Sequence, residues 1–198
     1  FGATQLNLTD PLSLLLGGRV TWYENDESFR LWTFGLNGQS FESGKSEENG
    51  VFTPYVGVTY ELTPEFSAYT SYTEIFQPNT QRDINSQLLD ATTGKSVELG
   101  IKGEHRDGKL HTGFAVFQAE EDNLAVVHSG VGTLPDGNTP YRLIQGAESR
   151  GFEVTVAGEI APDWQLSGGY TFHSKRDKDD NLVDSTKPRR LLRLATSY

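Results

Sequence analysis

The feature that most limits what this chain can fold into is a strict alternation of short and long connections between stretches of period-two polarity. Four connections are tight: Thr9-Asp10-Pro11, Thr63-Pro64-Glu65, Arg106-Asp107-Gly108-Lys109 and Ala161-Pro162-Asp163. Asp-Gly and Pro-containing pairs suit short hairpins, because Gly accepts positive φ and Pro presets a turn dihedral. Four others are long and polar, near 24–50, 78–94, 123–145 and 175–187. Strands joined this way run up and down, with every short turn on one side and every long loop on the other. That asymmetry is the pattern of outer-membrane barrels, with short periplasmic turns and long extracellular loops.

The stretches between the connections alternate apolar and polar residues. Leu14, Leu16, Gly18, Val20 and Trp22 oppose Ser13, Arg19 and Thr21. Val97, Leu99 and Ile101 oppose Glu98, Gly100, Lys102 and Glu104, and Phe152, Val154 and Val156 oppose Glu153, Thr155 and Ala157. Nine strands are expected, near 1–9, 12–23, 51–62, 65–77, 95–104, 109–122, 146–160, 163–174 and 188–198. The fold class expected is all-β, an antiparallel up-and-down transmembrane β-barrel. An odd, open set of strands leaves unpaired amides in lipid, so residues 1–198 are expected to form one partial barrel domain.

Mean hydropathy is −0.49, and no apolar run approaches the roughly 20 residues of a membrane helix. Membrane strands average polar, so this does not argue against lipid contact. The formal net charge of −10 disfavours nucleic acid as a partner. With no cysteine, disulfides and thiolate sites are excluded.

Several ordered pieces resemble the TonB-dependent outer-membrane receptors for ferric siderophores, closest to the ferric-pyoverdine and ferric-coprogen type. They are Tyr69 to Pro78 (YTSYTEIFQP), Lys95 to Glu104 (KSVELGIKGE) with Asp107-Gly108-Lys109-Leu110, and Phe117 with Glu121-Asp122-Asn123. Ser149 to Val154 (SRGFEV), Ala157 to Trp164 (AGEIAPDW), Gly169-Tyr170-Thr171 and Thr186-Lys187-Pro188 continue the series. The resemblance implies a barrel of 22 strands filled by a plug domain, of which this chain supplies about nine. It also implies a bacterial outer-membrane location, a ferric siderophore as transported ligand, and energy from the TonB complex through the plug. The plug, the TonB-contacting motif and the terminal strands are expected to lie outside this sequence.

On that reading the polar face lines the lumen and meets the plug, through Arg19, Glu98, Lys102, Glu153, Gln165 and His173, with Glu61, Glu104 and Glu159 beside them. A wetted wall without partners is the simpler alternative. Trp22, Tyr60, Phe66, Tyr72, Trp164, Tyr170 and Phe172 are expected in aromatic girdles at the lipid interfaces, beside outer-membrane lipid and lipopolysaccharide. Candidate ligand contacts are Trp32, Phe34, Phe76, Gln77, His128, Tyr141 and Arg142. Aromatics with a few polar groups suit a chelate-sized concave site; ordinary loop packing is the alternative for each. A ferric chelate brings its own metal ligands, so no directly bound cofactor and no protein metal site are expected.

No catalytic residue is assigned. The four histidines (105, 111, 128 and 173) lack zinc spacing. The stretch Asp177-Lys-Asp179-Asp-Asn181 starts like a calcium loop but lacks the Gly and Glu such a loop needs. No G-x-S-x-G elbow, phosphate loop or thiol nucleophile is present. The readings left to compete with an importer are a passive outer-membrane channel or adhesin barrel, and a soluble all-β binding module.

Overall fold

The computed structural model describes residues 1–31, 39–134, 137–183 and 188–198; within 27–31 and 39–45 only the backbone is described. Eleven strands follow one another: β1 Gly2–Thr9, β2 Leu12–Leu31, β3 Gln39–Thr63, β4 Phe66–Gln77, β5 Thr92–His105, β6 Leu110–Asp122, β7 Leu124–Val127, β8 Tyr141–Ile144, β9 Ala147–Ala161, β10 Trp164–Arg176 and β11 Arg190–Ser197. Nine of them form one sheet in the order β1-β2-β3-β4-β5-β6-β9-β10-β11, every pair antiparallel. The up-and-down expectation holds. β7 and β8 form a separate small hairpin inside the connection between β6 and β9.

The turns follow from their residues. Thr63 Oγ1 accepts the N–H groups of Glu65 and Phe66 at 3.2 and 3.1 Å, closing the β3–β4 turn. Arg106, Asp107 and Gly108 all take positive φ (57°, 56° and 82°), a run for which the Asp-Gly pair is suited. Opposite them, Gly158 adopts φ 131°, and a side chain there would collide with the carbonyl of Lys109.

Two corrections to the sequence reading are needed. The connection near 24–50 is mostly strand: β2 and β3 stay paired as far as Leu31 and Gln39. Residues such as Glu24, Asn25, Glu47 and Glu48 looked like loop because they are polar, but a ladder is held by backbone bonds and needs no apolar side chains above a membrane. The connection near 123–145, read only as long and polar, contains the β7–β8 hairpin; its strands have four residues each, too short for periodicity to register.

Opposite residues in an antiparallel ladder point to the same side, so the registers assign both faces. One face is predominantly apolar and largely exposed, including Phe52 (59%), Leu99 (57%) and Leu194 (66%). Buried apolar side chains are few among the described residues: Phe76, Ala115, Leu134, Pro140 and Ala147. A sheet with no core of its own and one long apolar face needs another apolar phase to cover it.

The upper margin of that face is oblique. On β11 the outward residues become charged at Arg190, which lies in register, strand by strand, with Leu99 on β5 and Leu14 on β2. On β5 the apolar face continues to Val97 before Lys95, and on β2 it continues to Trp22, eight residues beyond Leu14. Eight residues at about 3.3 Å, gained over seven strand steps of about 4.8 Å, put the margin at roughly 40° to the ladder. That angle is the strand tilt, and it falls in the range of membrane barrels. Between His105 and Lys95 the apolar stretch of β5 is then about 25 Å deep, the height of an outer-membrane apolar band.

Corrected for tilt, Tyr60, Phe66 and Trp164 share the lower margin, while Trp22 and Phe172 share the upper one. Tyr72 and Tyr170 lie one rung inside the upper margin. Tyr72 reaches back towards it, donating its hydroxyl to Glu74 at 3.1 Å.

Candidate ligand-binding and lumen-facing site

The opposite, polar face carries all six residues expected to meet a plug. Lys102 is in register with Gly113, Thr155, Gly169 and Arg193, and Glu98 with Phe117, Gly151 and His173. Arg19 pairs with Thr53, Glu153 with Thr171, and Gln165 with Glu159, all in the same parity.

Near the short-turn end this face holds a hollow of about 550 Å³. Five carboxylates line it, Glu61, Glu65, Glu98, Glu104 and Glu153, against one ammonium, Lys102. Tyr69 organises its centre: the hydroxyl donates to Glu98 Oε1 at 2.6 Å, and Lys102 Nζ stands 4.6 Å from the ring centroid. Thr171 Oγ1 donates to Glu153 Oε2 at 3.2 Å. The Tyr69 and Thr171 hydroxyls each satisfy part of a carboxylate, and cations or N–H donors suit the lone pairs that remain. Tyr69 was not singled out from the sequence. Its parity on β4 was readable, yet β4 has no clean apolar face, since Ala68, Thr70 and Tyr72 alternate with Ser67, Tyr69 and Ser71.

A second hollow of about 680 Å³ lies on the same face toward the long-loop end of β2, β3 and β4. Arg19, Tyr55, Phe76 and Gln77 help line it, and Arg19 Nη2 donates to the carbonyl of Phe76 at 3.0 Å. Gln77 shares the parity of Ser71 and Thr73, so it belongs to the polar face; Phe76 has the opposite parity and is buried (7% exposed). Higher still, Lys175 and Glu121 form an ion pair across β9, both four-fifths enclosed. Parity with His173 and Ala119 would have placed them on this face.

The remaining candidates sit on the loops. His128 ends the small hairpin, its N–H donating to the Pro140 carbonyl at 2.9 Å, and its Nδ1 is buried without a partner. Tyr141 and Arg142 are adjacent on β8 and therefore face opposite ways; Tyr141 N–H donates to the Arg82 carbonyl of the neighbouring loop at 2.7 Å. Thus Arg19, Phe76 and Gln77 are gathered at the upper wall, and His128, Tyr141 and Arg142 on one hairpin above. Trp32 and Phe34 lie outside the described residues.

The two loops are clasped at their base by residues the sequence did not flag. Asn79 Nδ2 donates to the carbonyls of Asp90 (2.5 Å) and Asn123 (3.3 Å), and Thr92 Oγ1 donates to the Asn123 carbonyl at 2.9 Å. Asn123, at φ 56°, donates to the Ala91 carbonyl, and Gln145 donates to Asn123 Oδ1. Below the next loop, Asp177 Oδ1 accepts from the N–H groups of Asn181 and Asp179 at 2.8 and 2.9 Å. These bonds, the Asn181 one foremost, hold its carboxyl below the usual carboxylate range. No group of three or more His, Asp or Glu suited to a metal ion occurs among the described residues.

The family model described as TonB dependent receptor-like, beta-barrel matches residues 1–198. The chain is 37% identical over 198 residues to the ferric-pyoverdine 358 receptor of Pseudomonas putida, covering 100% of this chain and 24% of that protein. It is 39% identical to the ferripyoverdine receptor of Pseudomonas aeruginosa, covering 98% of this chain and 23% of that one. The crystal structure of the P. aeruginosa outer-membrane ferripyoverdine receptor bound to ferripyoverdine superposes with a TM-score of 0.76 at 36% identity, over 99% of this chain and 25% of that one. The chain thus spans about a quarter of the length of the curated relatives it matches.

Proposed function

Because the chain belongs to the TonB-dependent receptor β-barrel family, we propose that it forms part of the wall of a bacterial outer-membrane receptor that binds ferric siderophores and imports them with TonB-transmitted energy. The family is one of receptors, not enzymes. The observation that carries the reading is the two-faced sheet: a tilted apolar band about 25 Å deep on one side, a charged wall on the other, and every long connection at one end. The similarity to ferric-pyoverdine receptors supports a peptidic ferric chelate of that kind as cargo.

In this reading the ligand meets the long-loop end. Gln77 and Arg19 offer an amide and a guanidinium at the upper wall, and the β7–β8 hairpin presents His128 with Tyr141 or Arg142 above them. Trp32 and Phe34 join the same set, whereas Phe76 serves as packing beneath the loop. The iron arrives already coordinated, so the wall supplies hydrogen bonds and aromatic surface. At the other end the acidic hollow seats a plug domain, with Glu98 and Glu153 accepting from its cationic side chains beside Lys102, while Arg19, Gln165 and His173 face the plug elsewhere on the same wall. Outer-membrane lipid, including lipopolysaccharide, covers the apolar face, and the TonB complex acts through the plug.

The test uses the full receptor polypeptide, expressed in a bacterium lacking its own siderophore receptors. Growth on iron supplied only as ferric pyoverdine, lost when TonB is absent, is the expected result. Ion conductance in planar bilayers without chelate-dependent uptake would instead favour the passive channel.

A further inference from the structure

Two connections carry the same turn: Gln81 to Leu89 (QRDINSQLL) between β4 and β5, and Lys175 to Val183 (KRDKDDNLV) running from the end of β10 toward β11. In each, one carboxylate oxygen accepts two backbone amides. Asp83 Oδ1 takes those of Asn85 and Gln87 at 2.8 and 2.9 Å, and Asp177 Oδ1 those of Asp179 and Asn181 at 2.9 and 2.8 Å. The Asp N–H donates forward to the carbonyl of Gln87 or Asn181, both at 2.9 Å. The preceding arginines, Arg82 and Arg176, donate to the carbonyls of Ser86 and Asp180, which take φ of 64° and 63°. Single bridges, Arg82 with Leu88 and Arg176 with Leu182, close both turns. The residues common to the two, Arg-Asp and the Leu beyond, make the frame, and the residues between them vary.

Both turns border the same object. In the sheet order β4-β5-β6-β9-β10-β11, the β6–β9 connection with its β7–β8 hairpin lies between the other two connections. The first turn meets the hairpin through its backbone, the Arg82 carbonyl accepting the Tyr141 N–H at 2.7 Å. Arg82 is buried and bonded into its turn by its own side chain, so the carbonyl it offers is fixed in place. The second turn meets the hairpin's base and its charge. Lys178 Cβ lies 3.9 Å from where a side chain on Gly146 would begin. The Asn181 amide first, and the Arg142 guanidinium in addition, draw the Asp177 carboxyl below the usual carboxylate range. Tyr141 and Arg142, neighbours on β8, are thus held one by each turn.

We propose that Asp83 and Asp177 are positioning residues, each organising one of a matched pair of brackets that fix the β7–β8 hairpin from either side and present it to a ligand preformed. The brackets differ in what the carboxylate supplies. Asp83 acts only as an acceptor, because its turn reaches the hairpin through a backbone carbonyl. Asp177 also acts through its charge, because its turn reaches the hairpin through Arg142. Asparagine keeps the acceptor and loses the charge, so one substitution separates the two roles. A hairpin competent only part of the time binds with an apparent Kd raised by the inverse of that fraction, which two brackets prevent. The hairpin's part in ligand binding rests on the proposed function; its bracketing does not.

The experiment follows hydrogen exchange by peptide in the full receptor polypeptide, with Kd for ferric pyoverdine measured on the same samples. Asp83→Ala opens residues 82–89 and speeds exchange at 124–128 and 141–144, whereas Asp83→Asn leaves all of them as in wild type. Asp177→Ala opens 177–183 and speeds exchange in the hairpin. Asp177→Asn keeps 177–183 protected and still speeds the hairpin. The two alanines together exceed the product of the single effects, each of about three-fold, because either bracket alone retains some hold. Kd rises in the double alanine variant and is unchanged in Asp83→Asn. Hairpin exchange that stays at the wild-type rate in the alanine variants, or an Asp177→Asn variant that matches wild type, overturns the brackets. Failure of the wild-type receptor to bind ferric pyoverdine overturns the ligand reading alone, since exchange still judges the brackets.

Discussion

Two carboxylates of the polar face are partly satisfied by their own sheet. Glu98 has the Tyr69 hydroxyl and Glu153 the Thr171 hydroxyl. If a plug supplies cations to both, replacing one carboxylate leaves a buried unpaired charge, at a cost of about 3–5 kcal/mol. Glu98→Ala and Glu153→Ala in the full receptor are therefore expected to lower the unfolding midpoint of the plug and raise bilayer conductance. A double variant that stays tight and thermally unchanged would remove these residues from plug seating. Asp177 gives a pH prediction. Its folded-state carboxyl titrates below the ordinary carboxylate range, so the order it gives the hairpin tip is complete above that range and is lost as pH falls through the lower folded value. The Asn181 and Asp179 amides should stay protected from hydrogen exchange through pH 4 and lose protection only below the usual carboxylate pKa; loss near pH 5 would contradict this. Parity in the sequence placed Arg19, Glu98, Lys102, Glu153, Gln165 and His173 on one face, because a period of two is enough to fix a side. It was silent on Tyr69 and Thr171 as partners, since cross-strand neighbours depend on register, which one strand does not contain.

Strands and loops diverge from the sequence reading for a common reason. Polarity marks where lipid stops, and pairing stops elsewhere: β2 and β3 continue past Trp22 and Val51 as a polar ribbon. The same gap hid the clasp beneath the loops, built from Asn79, Thr92, Asn123 and Gln145, residue types that a linear reading assigns to solvent. Because Asn123 bonds to both strands' loop bases, the loops around 78–91 and 123–146 are expected to open together. Asn123→Ala removes two side-chain hydrogen bonds and the residue type best able to hold φ 56°, a loss of about 2 kcal/mol. Limited proteolysis should then nick both loops at similarly raised rates, with the strands intact. Nicking confined to 123–146 would show that the loops are independent.

At the scale of the whole sheet, the described residues form a ladder without an interior core, and on the proposed reading lipid covers the apolar face. The apolar face therefore has a depth coordinate. Leu99 sits near mid-band and Leu62 at the lower margin, although the two are similarly exposed (57% and 53%). Arginine at the first is expected to cost about 2–4 kcal/mol, and at the second under about 1 kcal/mol. Urea titrations of full receptors carrying Leu99→Arg or Leu62→Arg, in vesicles, measure the difference. Equal costs would mean that the band is not tilted as derived. Up-and-down topology was legible from loop lengths alone. Tilt was not, because it appears only when the apolar margins of different strands are compared through their registers.

The slope of that margin also protects the pairing itself from error. A slip of one residue between neighbours is caught at once, since it turns a strand inside out. A slip of two keeps every side chain on its proper side and would pass that check. It nevertheless slides the strand by about 6.6 Å, or about 5 Å in depth, carrying Lys95 or Arg150 down among acyl chains or lifting Trp22 clear of them. On the proposed membrane reading the bilayer acts as a ruler during assembly, editing a class of misalignment that alternation alone lets through.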